Sequence, residues 1–301
     1  MSRASQTHVT VLLEEAVGAL NLKGDSVVID ATLGAGGHTK EILKRLGSGG
    51  QCISLDADPS ALDTFPEAEK TESLTLLEGN FKDVVALTAS HLKHAPDGIL
   101  ADLGWRQEQF SGGGKGFSFQ YDEPLQMTFG APETYTFTAA DIVNDWEEEV
   151  LSNIIYGYGE DRFARRIAKA IVTSRQEAPI TTSMQLADIV SRAVPTKYTH
   201  GKIHPATKTF QALRIAVNDE LSVLETFLND AVALLASGGR LAIITFHSLE
   251  DRIVKQAFRA YAHDQKGVVI TKKPITATDE EVSANPRARS AKLRIFEKTE
   301  S

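Results

Sequence analysis

Residues 27–39, VVIDATLGAGGHT, pass from a short run of β-branched apolar residues through an acid into a glycine-rich turn. Val27, Val28 and Ile29 suit a central parallel strand covered on both faces. Asp30 falls where that strand ends. Gly34, Gly36 and Gly37 let the backbone turn tightly and come close to a ligand, and the helix expected next points free N–H groups at that ligand. The spacing is GxGG, not the GxGxxG of dinucleotide folds. A bare strand-to-helix turn would use the same glycines, so the flanking segments must decide.

Working outward, residues 39–46 have the pattern of a crossover helix, stopped by GSGG at 47–50. Residues 52–55 read as a second strand closed by Asp56, and Asp58-Pro59 opens the next helix. Asp56 lies 22 residues after Gly34, near the place where an acid after the second strand takes the ribose hydroxyls of a nucleoside. Residues 74–77 form a third strand running into Phe81, and residues 98–101 a fourth ending at Asp102. The carboxyl ends of strands in an open parallel sheet line the ligand crevice, so Asp30, Asp56, Phe81 and Asp102 are expected to converge. On the N-terminal side, residues 8–22 read as one helix ending near Gly24.

The next parallel strand is RLAIITF at 240–246, and the 137 residues between it and Asp102 far exceed what a crossover needs. Residues 207–236 account for part of the gap as one long helix. The remainder shows helical patterns at 138–155, 161–174 and 183–194 and no strand alternation. The expected organisation is an α/β domain made of residues 1–104 and 207–301, with residues 105–206 inserted as a small all-helical domain. A helix at 249–261 and strands at 268–271 and 293–296 complete the sheet.

Hydrophobic residues make up 42% of the chain and charged residues 24%, the proportions of an ordinary globular protein. No apolar run reaches the roughly 20 residues that span a bilayer, and MSRASQTHVT lacks a basic-then-apolar leader. A cytoplasmic protein without a membrane partner is expected. The single cysteine, Cys52, lies in a predicted strand, which excludes an internal disulfide and argues against a metal cluster. The net charge of −8 opposes indiscriminate nucleic-acid binding. Local runs point the other way: residues 162–175 hold five basic residues and no acid, 197–208 three lysines with His200 and His204, and 287–298 five basic residues against one acid. They favour an anionic partner.

The segments HVTVLLEEAV, GAGGHT, GKGFSF, YGEDRFARRIAKAI, GKIHPATKTFQALRIAVNDEL, GGRLAIITFHSLEDRIVK and NPRARSAKLRIFEK together resemble the bacterial 16S rRNA cytosine-N4 methyltransferase family (RsmH/MraW). The resemblance spans nearly the whole chain. It implies a Rossmann-like sheet that binds S-adenosyl-L-methionine (SAM), with the helical insertion recognising substrate, and methylation of a cytidine in the decoding region of small-subunit rRNA. The 16S rRNA or small ribosomal subunit would be the partner, and a homodimer is compatible. Carried onto this chain, the resemblance assigns Gly36, Gly37, His38, Asp56, Phe81, Asp102 and Gln109 to the cofactor. Asp102 and His247 become candidate catalytic residues, and Arg165, Arg166, Lys169, Lys202, His204 and Arg214 candidate RNA contacts, with Asn218 beside them. Phe117, Phe119 and Tyr121 are candidates to stack on a splayed cytosine.

The exocyclic amine of cytosine is a poor nucleophile because its lone pair is delocalised into the ring. Catalysis must align that nitrogen with the methyl donor, and hydrogen-bond acceptors help localise the lone pair. This chain departs from the family in two places: DLGVSSPQ is replaced by DLGWRQEQ at 102–109, and PLDMRMD by PLQMTFG at 124–130. Two other readings compete. A non-catalytic rRNA-binding assembly factor that retained the fold and cofactor loop while its target pocket drifted is disfavoured because the glycines, His38 and Asp56 would have no reason to persist together, and an NAD-dependent oxidoreductase is opposed by the GxGG spacing.

Overall fold

The computed structural model describes residues 9–104, 114–199 and 204–299. The chain divides into two compact units, Met1–Gly104 with Leu221–Ser301, and Trp105–Glu220. The first unit begins with α1 (Leu13–Ala19), β1 (Val27–Asp30), α2 (Gly37–Arg45), β2 (Gln51–Asp56), α3 (Pro59–Thr64), β3 (Leu74–Glu78), α4 (Val84–Thr88) and β4 (Gly98–Asp102). The second unit holds α5 (Ala139–Asp145), α6 (Glu148–Gly157), α7 (Ala164–Arg175), α8 (Ser183–Ala193), a single helical turn at Thr196–Thr199, and α9 (Thr207–Asn218). Helix α10 (Glu220–Leu234) leads back to the first unit, which closes with β5 (Arg240–Thr245), α11 (Ser248–His263), β6 (Gly267–Val269), α12 (Asp279–Ala284) and β7 (Lys292–Lys298).

The sheet order is β3-β2-β1-β4-β5-β7-β6. Strands β1 to β5 are parallel, and β7 runs antiparallel between β5 and β6. The order reverses between β1 and β4, which is where an open α/β sheet leaves its ligand crevice. Residues of β1 alternate between two cores. Ile29, Ile53, Ile99 and Ile243 pack on one face with Phe227 of α10 and Phe258 of α11; Val28, Cys52, Leu100 and Ile244 pack on the other with Val17 and Ile42. Burial on both faces is why these strands read as continuous apolar runs. In the second unit, Met127, Ile142, Leu151, Ile167, Leu186 and Leu213 form a separate core.

Three boundaries differ from the sequence reading. The expected helix at 207–236 breaks at Asp219, whose φ of 47° is left-handed, so the division between units falls after Glu220 and α9 joins the helical unit, not the sheet domain as expected from residue 207. The apolar stripe runs through this break, and the stripe was the only signal available. The expected helix at 138–155 ends at Trp146 and restarts at Glu148. The Arg175 guanidinium donates to the carbonyls of Val143 (3.0 Å) and Trp146 (2.7 Å), replacing donors that a continued helix would have supplied. The expected helix at 8–22 starts only at Leu13, because Leu12 is left-handed (φ 50°) and its N–H donates to Glu281 Oε1 at 2.8 Å.

Candidate active site

Strand β1 delivers Asp30 to the turn, fully buried. One carboxylate oxygen accepts from Thr39 Oγ1 at 2.7 Å and the other from the Thr32 N–H at 3.2 Å. Thr39 Oγ1 also lies 2.9 Å from Ser54 Oγ, so a buried polar chain joins β1, α2 and β2 beneath the glycine turn. Burial raises Asp30 to about 7, with Asp56 adding to the rise and hydrogen bonds from Thr39 and Thr32 opposing it.

Gly36 has φ 77°, the left-handed conformation expected of a tight turn, and a Cβ there would also collide with the Phe65 ring. Gly37 is needed for a different reason: a Cβ would fall on the Thr10 side chain. Overpacking at such a contact costs about 1–3 kcal/mol. We expect Gly37→Ala to lower the denaturant midpoint accordingly and Thr10→Gly to recover most of the loss. Failure of the second change to rescue the first would place the strain elsewhere.

Asp56 braces the loop. Its Oδ2 accepts from the Gly34 N–H and its Oδ1 from the Asp58 N–H, both at 2.9 Å. The acid at the end of the second strand therefore fixes the turn after the first. His38 is 4% exposed, with Nε2 3.2 Å from the Val11 carbonyl. A carbonyl only accepts, so Nε2 carries the hydrogen and Nδ1 faces Asp102, 3.9 Å from its Oδ2. At the end of β4, the Asp102 N–H donates to Thr32 Oγ1 at 2.7 Å. The Asp102 side chain is 22% exposed, yet its Oδ1 is buried without a hydrogen-bond partner among the described residues. Burial, with smaller contributions from Asp30 and Glu250, raises Asp102 to about 8; Arg287 opposes the rise. Phe81 is half-buried against the edge of Phe227, ring centroids 5.0 Å apart.

The geometry thus gathers Gly36, Gly37, His38, Asp56 and Asp102 at the switch point of the sheet. Gln109 and Lys202 lie outside the described residues. His247 caps α11, its Nδ1 accepting the Glu250 N–H at 3.3 Å, with Nε2 3.1 Å from Glu250 Oε1. Thr10, Thr32, Thr39 and Phe65 shape the turn and were not singled out from sequence. Thr39 closes the quoted stretch, but nothing in residue type or spacing marks the other three.

The residue pattern of the MraW methylase family matches residues 5–299. The chain belongs to that family. It is 42% identical to the ribosomal RNA small subunit methyltransferase H of Clostridioides difficile, over 97% of this chain and 98% of that protein. The protein of the same name from Deinococcus deserti is 47% identical over 98% and 94% of the two chains. That from Brevibacillus brevis is 41% identical over 99% and 100%. Membership carries the Rossmann-like methyltransferase fold and the use of SAM, as expected from the glycine turn and the family segments.

The helical unit sorts its candidate residues by burial. On α7, Ala164, Ile167, Ala168 and Ile171 face the core, while Arg165, Arg166 and Lys169 are exposed with Arg162 just ahead of them. Arg162 lies over the Tyr198 ring, 4.4 Å from its centroid. Arg214, expected to contact RNA, is instead 3% exposed and clasps Glu220 with Nε–Oε1 2.6 Å and NH2–Oε2 2.8 Å. Asn218 is likewise engaged: its amide donates to the carbonyls of Met127 and Arg214 and accepts from the Phe129 N–H. Phe117 is buried and stacked on Phe129, so it belongs to the core and not to a base platform. Phe119 is half-buried and stacks on exposed His204 at 4.4 Å; Tyr121 is 38% exposed. Partial burial holds His204 below its ordinary range. The divergent stretch at 124–130 is well packed: Thr128 is fully buried, its hydroxyl donating to the Gly130 carbonyl at 3.1 Å.

Proposed function

We infer that this chain transfers the methyl group of SAM to the exocyclic N4 of a cytidine in small-subunit ribosomal RNA. The carrying observation is the near full-length family match, supported by Gly36, Gly37, His38, Asp56 and Asp102 lying together at the switch point. The donor set suits the cofactor: a glycine turn whose backbone lies close to Thr10 and Phe65, a braced acid at Asp56, and a buried oxygen at Asp102 that is unpartnered among the described residues. Gly36, Gly37 and His38 would hold the methionine end, Asp56 the ribose hydroxyls and Phe81 the adenine. SAM supplies an electrophilic sulfonium methyl. The protein must then orient the amine and receive the proton that N4 loses, and Asp102 is the group for both tasks.

The exposed cations Arg165, Arg166 and Lys169 are assigned to RNA phosphates, and Phe119 with His204 to a stacking surface for an unpaired base. Lys208 donates to the Glu160 carbonyl at 2.8 Å, which adds positive charge beyond the start of the same helix. Neutralising Arg165 and Arg166 with glutamine is expected to flatten the salt dependence of rRNA binding by about 0.7 in log–log slope for each phosphate left without its cation. An unchanged slope would assign that face to solvent. No described helix is long and apolar enough to cross a membrane. A cytoplasmic location follows from the rRNA substrate.

The decisive experiment combines SAM binding by calorimetry with methyl transfer to 30S subunits and to free 16S rRNA, followed by mapping of the modified nucleoside. SAM binding with no RNA methylation on either substrate would remove this reading.

A further inference from the structure

The family segments HVTVLLEEAV and NPRARSAKLRIFEK hold no residue assigned above to cofactor or RNA, yet the structure brings residues 9–12 of the first beside the cofactor turn and against the loop that opens the second. The Asn285 side-chain amide donates to the Val9 carbonyl at 2.9 Å, and Glu281 accepts the Leu12 N–H at 2.8 Å. Between these two anchors, Thr10 packs on Gly37 and the Val11 carbonyl takes His38 Nε2 at 3.2 Å. Four consecutive residues are therefore held by the C-terminal loop on one side and touch the cofactor turn on the other.

The anchors are built for this. Thr278 caps α12 by accepting the Glu281 N–H at 3.2 Å, which sets Glu281 within the first turn of α12. Asn285 is 8% exposed, and its other amide atom accepts the Arg287 N–H at 3.3 Å, turning the chain into NPRARS. Leu12, fully buried in a left-handed conformation, is a cost that a side chain of its kind adopts only where surroundings impose it. Arg287, carried by the same loop, is the cation that opposes the upward shift of Asp102. The loop therefore reaches the site in two ways, through residues 9–12 and through charge.

We propose that Asn285 and Glu281 are positioning residues for the SAM site, clasping residues 9–12 against Gly37 and His38 so that the cofactor turn is set before SAM arrives. The clasp rests on the SAM-binding reading given above. It makes the affinity for SAM depend on side chains remote from any cofactor contact, because a turn released from the clasp must be ordered at the expense of binding energy.

Asn285 has two jobs that substitution separates. Asn285→Asp keeps the acceptor for the Arg287 N–H and loses the donor to Val9, whereas Asn285→Ala loses both. Glu281→Gln keeps an acceptor for Leu12, and Glu281→Ala removes it. Calorimetry with SAM and hydrogen exchange of the cofactor-free protein at residues 34–39 read out the clasp without turnover. We expect Asn285→Asp, Asn285→Ala and Glu281→Ala each to weaken SAM about tenfold, the loss expected for one net hydrogen bond, and to speed exchange in the turn. Glu281→Gln should match the wild type in both, and KM for rRNA should stay unchanged throughout. If Asn285→Asp binds SAM and exchanges like the wild type, the amide serves only its own loop and the clasp is wrong. If the wild-type protein itself fails to bind SAM, it is the cofactor reading that falls, while the exchange data still decide whether the clasp orders the turn.

Discussion

Asp102→Asn is expected to lower methyl transfer about 10²–10⁴-fold, the range for removing a positioned acid–base group, while SAM binding changes by only a few-fold. The expectation follows from position and charge together. Asp102 ends β4 at the switch point, with one oxygen near His38 and the other buried without a partner among the described residues. An acid raised to about 8 is mostly protonated at pH 7 and becomes an acceptor as pH rises. The wild-type rate should climb toward a plateau above pH 8, and the variant should show no such limb. Stability responds with the opposite sense. Ionisation is disfavoured in the folded state for both Asp102 and Asp30, so the stabilisation present below the ordinary aspartate range is lost progressively as pH rises through about 7 to 8. Asp102→Asn should therefore melt like the wild type near pH 4 and higher than it at pH 8 to 9. A variant that retains the pH limb in turnover would assign the limb to another group and leave Asp102 as a cofactor contact.

The parallel half of the sheet was legible because its residues announce both burial and direction. Val27 to Ile29 and residues 98–101 are apolar without alternation, and each ends in an acid, so both strand identity and the edge that holds the site could be read. The glycine turn was legible for the same reason, though the requirement at Gly37 turned out to be a packing contact with Thr10 and not only ligand approach. The antiparallel placement of β7 between β5 and β6 was not legible, since pairing order leaves no trace in a strand's own periodicity. Basic residues divided in a way that composition hides. Arg165, Arg166 and Lys169 are exposed as expected, but Arg175 is spent on helix-end carbonyls and Arg214 on Glu220. A run of positive charge says nothing about which members a helix turns inward. Family segments shared that ambiguity, because the block around Arg214 is as distinctive for its packing as a contact surface would be.

Arg214 consequently carries the largest stability expectation in the helical unit. The pair with Glu220 spans the break at Asp219, is bidentate, and is almost wholly buried, at 4% and 11% side-chain exposure. A surface pair would contribute little, but removing one partner of a buried pair strands the other and costs about 3–5 kcal/mol. Arg214→Ala should lower the unfolding free energy by that amount, read as a lower urea midpoint at unchanged m. Arg214→Lys should recover only part of it, because a lysine keeps the charge but cannot offer two parallel N–H groups to one carboxylate. The double change Arg214→Met with Glu220→Gln, which removes both charges, should be less damaging than Arg214→Ala alone. Binding of rRNA distinguishes this role from the one the sequence suggested. An arginine on a phosphate would leave the midpoint unchanged and reduce the salt slope; one that holds the chain across the break at Asp219 will move the midpoint and leave the slope where it was.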